Sequence, residues 1–354
     1  MPNIEQAGVS ITLEELYYLT KAIFSDLPKK QKLLNYDTAW LLEYYNRTSD
    51  GKNMLQSNDK SLIAPYEIAY DYRKNPIPDW GTFRYCGEFK TTSKLAVIKE
   101  KLVKLFNDRG LLHKGNNICP RVKNIISNNG NLVIEIEKAT YFDQIATNLS
   151  LDYSLSKNDA TSIGATTLRQ WDINQSNTKK GTLPILSKSR LANTIGIAVG
   201  ITATNKRGEK VILIRKRTSN VAVAAKMLTL PFSFSLNMDT KGLIIGNEST
   251  IFDLIKSDFR HEQSEELGLE PGQMDFEKVN PLLLCRELSR GGKPQFFFEI
   301  KLDIPFEDLK RQIKENAGSK KEFTPGIKGL TIEKAKKSLN KFSPELRAFV
   351  ITKS

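Results

Sequence analysis

Three glutamates, Glu262, Glu265 and Glu266, crowd into the stretch FRHEQSEELGL at Phe259–Leu269. On a helix the spacing i, i+3 and i+4 sets them on one face. Like charges stacked this way repel by roughly 0.2–0.5 kcal/mol per pair. No basic residue among Gln263, Ser264, Leu267, Gly268 and Leu269 offsets that repulsion. A cluster of carboxylate oxygens suits a hard divalent cation, magnesium above all. The same residues also describe a solvated acidic helix face. A second group of side chains is suited to anions: Arg215, Lys216 and Arg217 close an apolar run, and Arg286, Arg290 and Lys293 flank the Gly291–Gly292 pair. Arginine can meet a phosphate with two parallel hydrogen bonds. With only His113 and His261 in the chain, a histidine-based triad has little to work with. There is no Walker loop, no G-x-G-x-x-G, no HExxH and no G-x-S-x-G.

The glutamates need a helix to carry them. Glu248, Ser249 and Thr250 supply polar caps, Asp253 sits where the helix dipole favours an anion, and Gly268 is placed to end the helix. Phe252, Ile255 and Phe259 repeat at helical spacing and predict the buried face, so the helix runs from about 250 to 267. Before it, NTIGIAVGITATNKRGEKVILIRKR reads as two strands joined by a turn at Asn205–Gly208, and MLTLPFSFSLNM as a further extended run. After it, NPLLLCRELSRGGKPQFFFEIKLD reads as a hairpin turning on Gly291 and Gly292, with Phe296, Phe297 and Phe298 in the core. Two helices are expected at 306–316 and 331–341.

Nearer the N-terminus, 11–46 reads as two amphipathic helices broken near Pro28, 92–110 as a helix ending at Gly110, and Leu132, Ile134 and Ile136 as an alternating strand. The segment 153–190 is rich in Ser, Thr, Asn and Lys and shows few periodic elements. The pattern divides the chain into an N-terminal α+β domain at 1–150 with no assigned role, a linker or extension at 151–189, a domain at 190–305, and C-terminal helices at 306–354 that pack on it. The fold class is α+β or α/β.

With 354 residues, 40% hydrophobic and 26% charged, the composition is that of an ordinary globular protein. No run approaches the ~20 apolar residues of a membrane span, and MPNIEQAGVS lacks the basic and apolar regions of a secretory signal. Cys86, Cys119 and Cys285 are far apart and form no CxxC pair, which suits a reducing cytoplasm. The formal charge of +13 is spread along the chain and favours anionic ligands, from nucleotides to nucleic acid, equally with a solvated basic surface. The basic stretch CPRVKNIISNNGNLVIEIEK lacks the interleaved aromatics of a single-strand platform, so nucleic acid is the less favoured partner. A homo-oligomer is left open.

Residues 247–269 resemble the signature of the Nudix hydrolase superfamily, G-x5-E-x7-R-E-U-x-E-E-x-G-U, with U a bulky apolar residue. Glu262, Glu265, Glu266, Gly268 and Leu269 match; Asn247, Asp253, His261 and Gln263 depart. The strands on either side look like those that flank this box in the family. The resemblance covers roughly 190–305 and implies a mixed sheet sandwiched by helices. It also implies magnesium, or manganese, held by Glu262, Glu265 and Glu266, with Glu265 or Glu266 as the base that accepts the water proton. Arg215, Arg217, Arg286, Arg290 and Lys293 are the corresponding candidates for substrate contact. The activity implied is magnesium-dependent hydrolysis of a nucleoside diphosphate linked to another moiety, such as a nucleotide sugar. The rival reading is a Nudix fold that senses a nucleotide or binds a partner without turnover.

Overall fold

Alternating apolar and polar residues make strands wherever one face can be buried, and the capped, 3.6-periodic stretches make the helices that cover them. The computed structural model describes residues 32–47, 53–112, 115–128, 130–178, 182–219, 221–238, 244–269, 273–316, 322–324 and 326–354. The helix expected before Pro28, and His113, lie outside the described residues. Helix α1 (Thr38–Tyr44) precedes strands β1 (Met54–Gln56), β2 (Ile63–Asp71) and β3 (Thr82–Glu88), helix α2 (Ser93–Asp108), and strands β4 (Ile118–Asn128) and β5 (Asn131–Thr140). Three short helices follow: α3 (Tyr141–Ile145), α4 (Lys157–Ile163) and α5 (Leu168–Gln175). Then come β6 (Gly196–Thr204), β7 (Lys210–Lys216), β8 (Leu228–Thr229), β9 (Phe232–Ser235), β10 (Glu248–Thr250) and the box helix α6 (Ile251–Glu262). The chain closes with β11 (Asn280–Glu287), β12 (Lys293–Lys301), α7 (Phe306–Asn316), β13 (Lys328–Leu330), α8 (Ile332–Lys336) and α9 (Pro344–Thr352).

The main sheet has the order β1-β2-β11-β12-β6-β7-β13, with β8 beside β7 and β9 beside β6; a smaller sheet has the order β10-β3-β5-β4. Both are mixed, because β12 runs parallel to β6 and β3 parallel to β5. The expected α+β architecture, mixed sheets flanked by helices, is therefore what the chain adopts. β2, from the first 150 residues, pairs with β11. The boundaries drawn at 150 and 190 thus separate stretches of sequence that share one sheet, and Leu33–Ser354 forms one compact unit.

The run Phe296–Phe298 shows how the main sheet is sandwiched. Phe296 and Phe298 point into a core with Ile197, Val199, Ile255 and Phe259, which joins the box helix and the small sheet. Phe297 points the other way, into a core with Ile214, Leu346 and Phe349 that lies against α9. Alternation across a strand makes this division unavoidable once both faces are covered. Gly200 on β6 lies so close to the ring of Phe349 that a Cβ there would overlap it.

The segment 153–190, which lacks periodicity, nevertheless forms α4 and α5. Their N-cap residues Ser156 and Thr167 accept hydrogen bonds from the backbone N–H of Asp159 and Gln170, and Ile163, Leu168 and Trp171 are buried. Caps and tertiary packing stabilise helices too short to persist alone. The helix expected over 331–341 is broken into α8 and a 3-10 turn at Leu339–Lys341. Among the described residues no helix is long and apolar enough to cross a membrane.

Candidate functional site

The box helix starts as its sequence dictates. The Thr250 hydroxyl accepts from the Asp253 backbone N–H at 3.1 Å and donates to the Asp253 carboxylate at 2.6 Å. Thr250→Ala is expected to cost about 1 kcal/mol of stability, read as a lower urea midpoint at unchanged slope. Ile251, Ile255 and Phe259 are buried, and the Phe259 ring meets Phe232 and Phe276 edge-on at 4.8 and 4.9 Å.

The end of the helix departs from a regular spiral. Gln263–Leu267 forms one π-helical turn, closed by Gly268 in the left-handed conformation at φ 63°. In an α-helix i, i+3 and i+4 share a face, but a turn with i→i+5 bonds takes up about one more residue. Position i+4 then stays near i while i+3 swings aside. Glu262 and Glu266 are accordingly buried, 1% and 6% exposed, whereas the Glu265 side chain is 55% exposed. His261 lies beside Glu265 on that outer side, with Nε2 and Oε1 3.3 Å apart. Gln263, which stands where the family has an apolar residue, is buried like one. Among the described residues, no three His, Cys, Asp or Glu side chains are grouped so that together they could hold a metal ion.

The five basic candidates separate into three groups. Arg215 is buried, donates to the backbone carbonyl of Glu266 at 3.0 Å and lies over the Phe323 ring at 4.4 Å. It braces the end of the box helix from β7. Arg286 donates to the carbonyls of Pro184 and Gly292, fastening the loop before β6 to the Gly291–Gly292 turn. Arg217, Arg290 and Lys293 line one pocket of about 130 Å³, together with Glu266, Gln144, Gln295, Glu322 and Glu345.

That pocket lies at the start of β6, where Gly196 and Ile197 form part of its wall and Ser233–Ser235 of β9 another. Behind it is a buried ionic cluster. Arg290 donates through Nε to Glu287 at 2.6 Å and through Nη2 to Glu345 at 2.8 Å, and the Ser289 hydroxyl donates to Glu287. Burial alone would lower the Arg290 pKa, but the two carboxylates outweigh it and hold the guanidinium above its ordinary value. Burial would raise the Glu345 carboxyl, but Arg290 and then Arg217 hold it below the usual range.

Lys293 is treated differently by its surroundings. It is 1% exposed and lines the pocket. Burial, with Arg290 adding to it, pushes its ammonium down to about 7, against the pull of Glu287 and Glu345. A Cβ on Gly196 would lie 2.5 Å from Lys293 Nζ, so a larger residue there would displace the end of the Lys293 side chain. Reading the sequence singled out Lys293 and Arg290 but missed Glu345. Its partner Arg290 lies 55 residues earlier in the chain, and no local motif links the two.

No protein-family model matches the chain, and no curated protein matches it. Among solved structures, DR0079 from Deinococcus radiodurans is similar over 44% of this chain and 80% of its own, at 15% identity and a TM-score of 0.29. The C-terminal domain of mouse MUTYH, in its complex with human PCNA, is similar over 45% of this chain and 86% of its own, at 12% identity and a TM-score of 0.27. RenU, a Nudix hydrolase from M. smegmatis, is similar over 44% of this chain and 80% of its own, at 7% identity and a TM-score of 0.23.

Proposed function

We propose that this chain is a Nudix-fold protein that holds a nucleoside diphosphate linked to a second group, and holds it without turnover. The ligand would lie in the pocket at the end of the box helix. One observation carries the reading: the π turn moves Glu265 to the solvent side while Glu266 stays on the pocket. The three box glutamates are retained, yet the trio that would share a metal is divided. Arg217, Arg290 and Lys293 supply positive charge on the same pocket, which suits phosphate oxygens.

The magnesium-dependent hydrolase is the second reading, favoured by Glu262 and Glu266 both turning inward at one end of the helix. Magnesium is commonly bound by one or two carboxylates plus ligand phosphates. Glu262 and Glu266 are the residues that would hold it, and the ion would supply charge neutralisation and an acidified water.

The two readings separate in one experiment. Magnesium and manganese are titrated calorimetrically, with and without a panel of nucleotide sugars and dinucleotides, and phosphate products are measured in the same samples. The expected result is ligand binding with no metal-dependent product. Product that disappears in Glu262→Gln/Glu266→Gln would reject the binding reading and establish the hydrolase.

A further inference from the structure

Two buried polar atoms on the pocket have no partner among the described residues, Arg217 Nε and Glu345 Oε2, and the buried Lys293 side chain lines the same pocket. Arg217 is otherwise engaged, donating to the Ser233 hydroxyl at 3.3 Å and lying over the Phe323 ring at 5.5 Å. A buried polar atom without a partner is costly, and a buried charge more so. A folded chain retains such groups together where something else completes them. Of the two unpartnered atoms, the first is a donor on a basic side chain, and the second is an acceptor on a carboxylate whose other oxygen is committed to Arg290.

We propose that Lys293 and Arg217 hold a phosphate group of the ligand, while Glu345 Oε2 accepts a hydrogen bond from a neighbouring O–H or N–H of the same molecule. The inference rests on the nucleotide reading above for the identity of the ligand, and on the unpartnered atoms together with the buried Lys293 for the phosphate. The carboxylates Glu266, Glu322 and Glu345 balance Arg217, Arg290 and Lys293 on the pocket lining. Positive charge is not in surplus there, so this site takes one phosphate group of the diphosphate, with a donor beside it.

The site is coupled to a proton. The groups that act on Lys293 are Arg290, Glu287, Glu345 and Cys119, and Arg217, Glu266, Glu322 and Tyr141 share its pocket. Without ligand, burial and Arg290 favour the neutral amine. A phosphate oxygen against Nζ favours the ammonium, so binding above pH 7 draws a proton from solvent.

The test uses the whole chain and three probes: inorganic phosphate, a nucleoside 5′-monophosphate and the unphosphorylated nucleoside. Binding is measured by calorimetry at pH 8 in two buffers of different ionisation heat, with succinate as a carboxylate control. Inorganic phosphate and the monophosphate are expected to bind with uptake of about one proton. Lys293→Met is expected to weaken both at least tenfold and to abolish the uptake, and Arg217→Gln to weaken both severalfold. Because Lys293→Met removes a buried charge, the variant folds and its binding can be read. Phosphate binding unchanged in Lys293→Met, binding without proton uptake, tighter binding of succinate, or no phosphate binding would each overturn the proposal. Phosphate binding without any nucleotide preference would leave this site standing and reject the nucleotide reading. Nucleotide binding indifferent to Lys293 would do the reverse.

Discussion

Replacing Arg169 by methionine is expected to destabilise the chain by about 3–5 kcal/mol, as removal of one member of a buried ion pair does. Arg169 lies on α5, fully buried, and donates through Nε and Nη2 to the Asp152 carboxylate, each at 2.7 Å. It also donates to the Tyr45 hydroxyl at 2.7 Å, to the Leu288 carbonyl at 2.8 Å and to the Ser289 carbonyl at 2.7 Å. Methionine fills similar space but leaves a carboxylate, a hydroxyl and two carbonyls without their donor. Leu288 and Ser289 begin the turn that presents Arg290, so the loss extends to the pocket. Urea unfolding with and without phosphate measures both effects: the midpoint is expected to fall, and stabilisation by phosphate to shrink with it. An unchanged midpoint would show that the clamp contributes nothing.

Lys293→Met is expected to act in the opposite direction on stability while removing phosphate affinity. The ammonium is pushed from its ordinary 10.5 down to about 7. Below pH 7 the side chain is charged in both folded and unfolded states, and the folded chain carries the whole cost of burying the charge. As pH rises through 7 the folded side chain loses its proton first, and stability rises until the unfolded chain titrates near its ordinary value. At about 1.4 kcal/mol per pKa unit, the cost removed at pH 6 is on the order of 5 kcal/mol. Urea midpoints taken at pH 6 and pH 8.5 should therefore converge: the variant is the more stable at the lower pH, and the gap narrows at the higher. A gap that is constant with pH would mean that Lys293 is charged and paired throughout. A residue that weakens the folded chain and yet is buried on a pocket is one whose place is explained by what it binds.

What was legible in the sequence was local. Spacing and caps determined the box helix from Thr250, the strands around Asn205–Gly208, the hairpin at Gly291–Gly292 and the burial of Phe296, Phe297 and Phe298, because periodicity and turn chemistry act over a few residues. The box glutamates were legible as residue types, and Arg290 and Lys293 as positive charge beside a glycine turn. Arg286 looked identical to them, yet it is spent on the carbonyls of Pro184 and Gly292.

The tertiary structure decided the rest. Pairing of β2 with β11 joins residues more than two hundred positions apart, and no local pattern encodes which distant strand supplies the hydrogen bonds. The single π turn rotated Glu265 away from Glu262 and Glu266, a change invisible to a reading that assumes constant helical pitch. The neutralising burial of Lys293 required β4, β6, β12 and α9 to close around one side chain. A charge written in the sequence has no environment until the fold surrounds it.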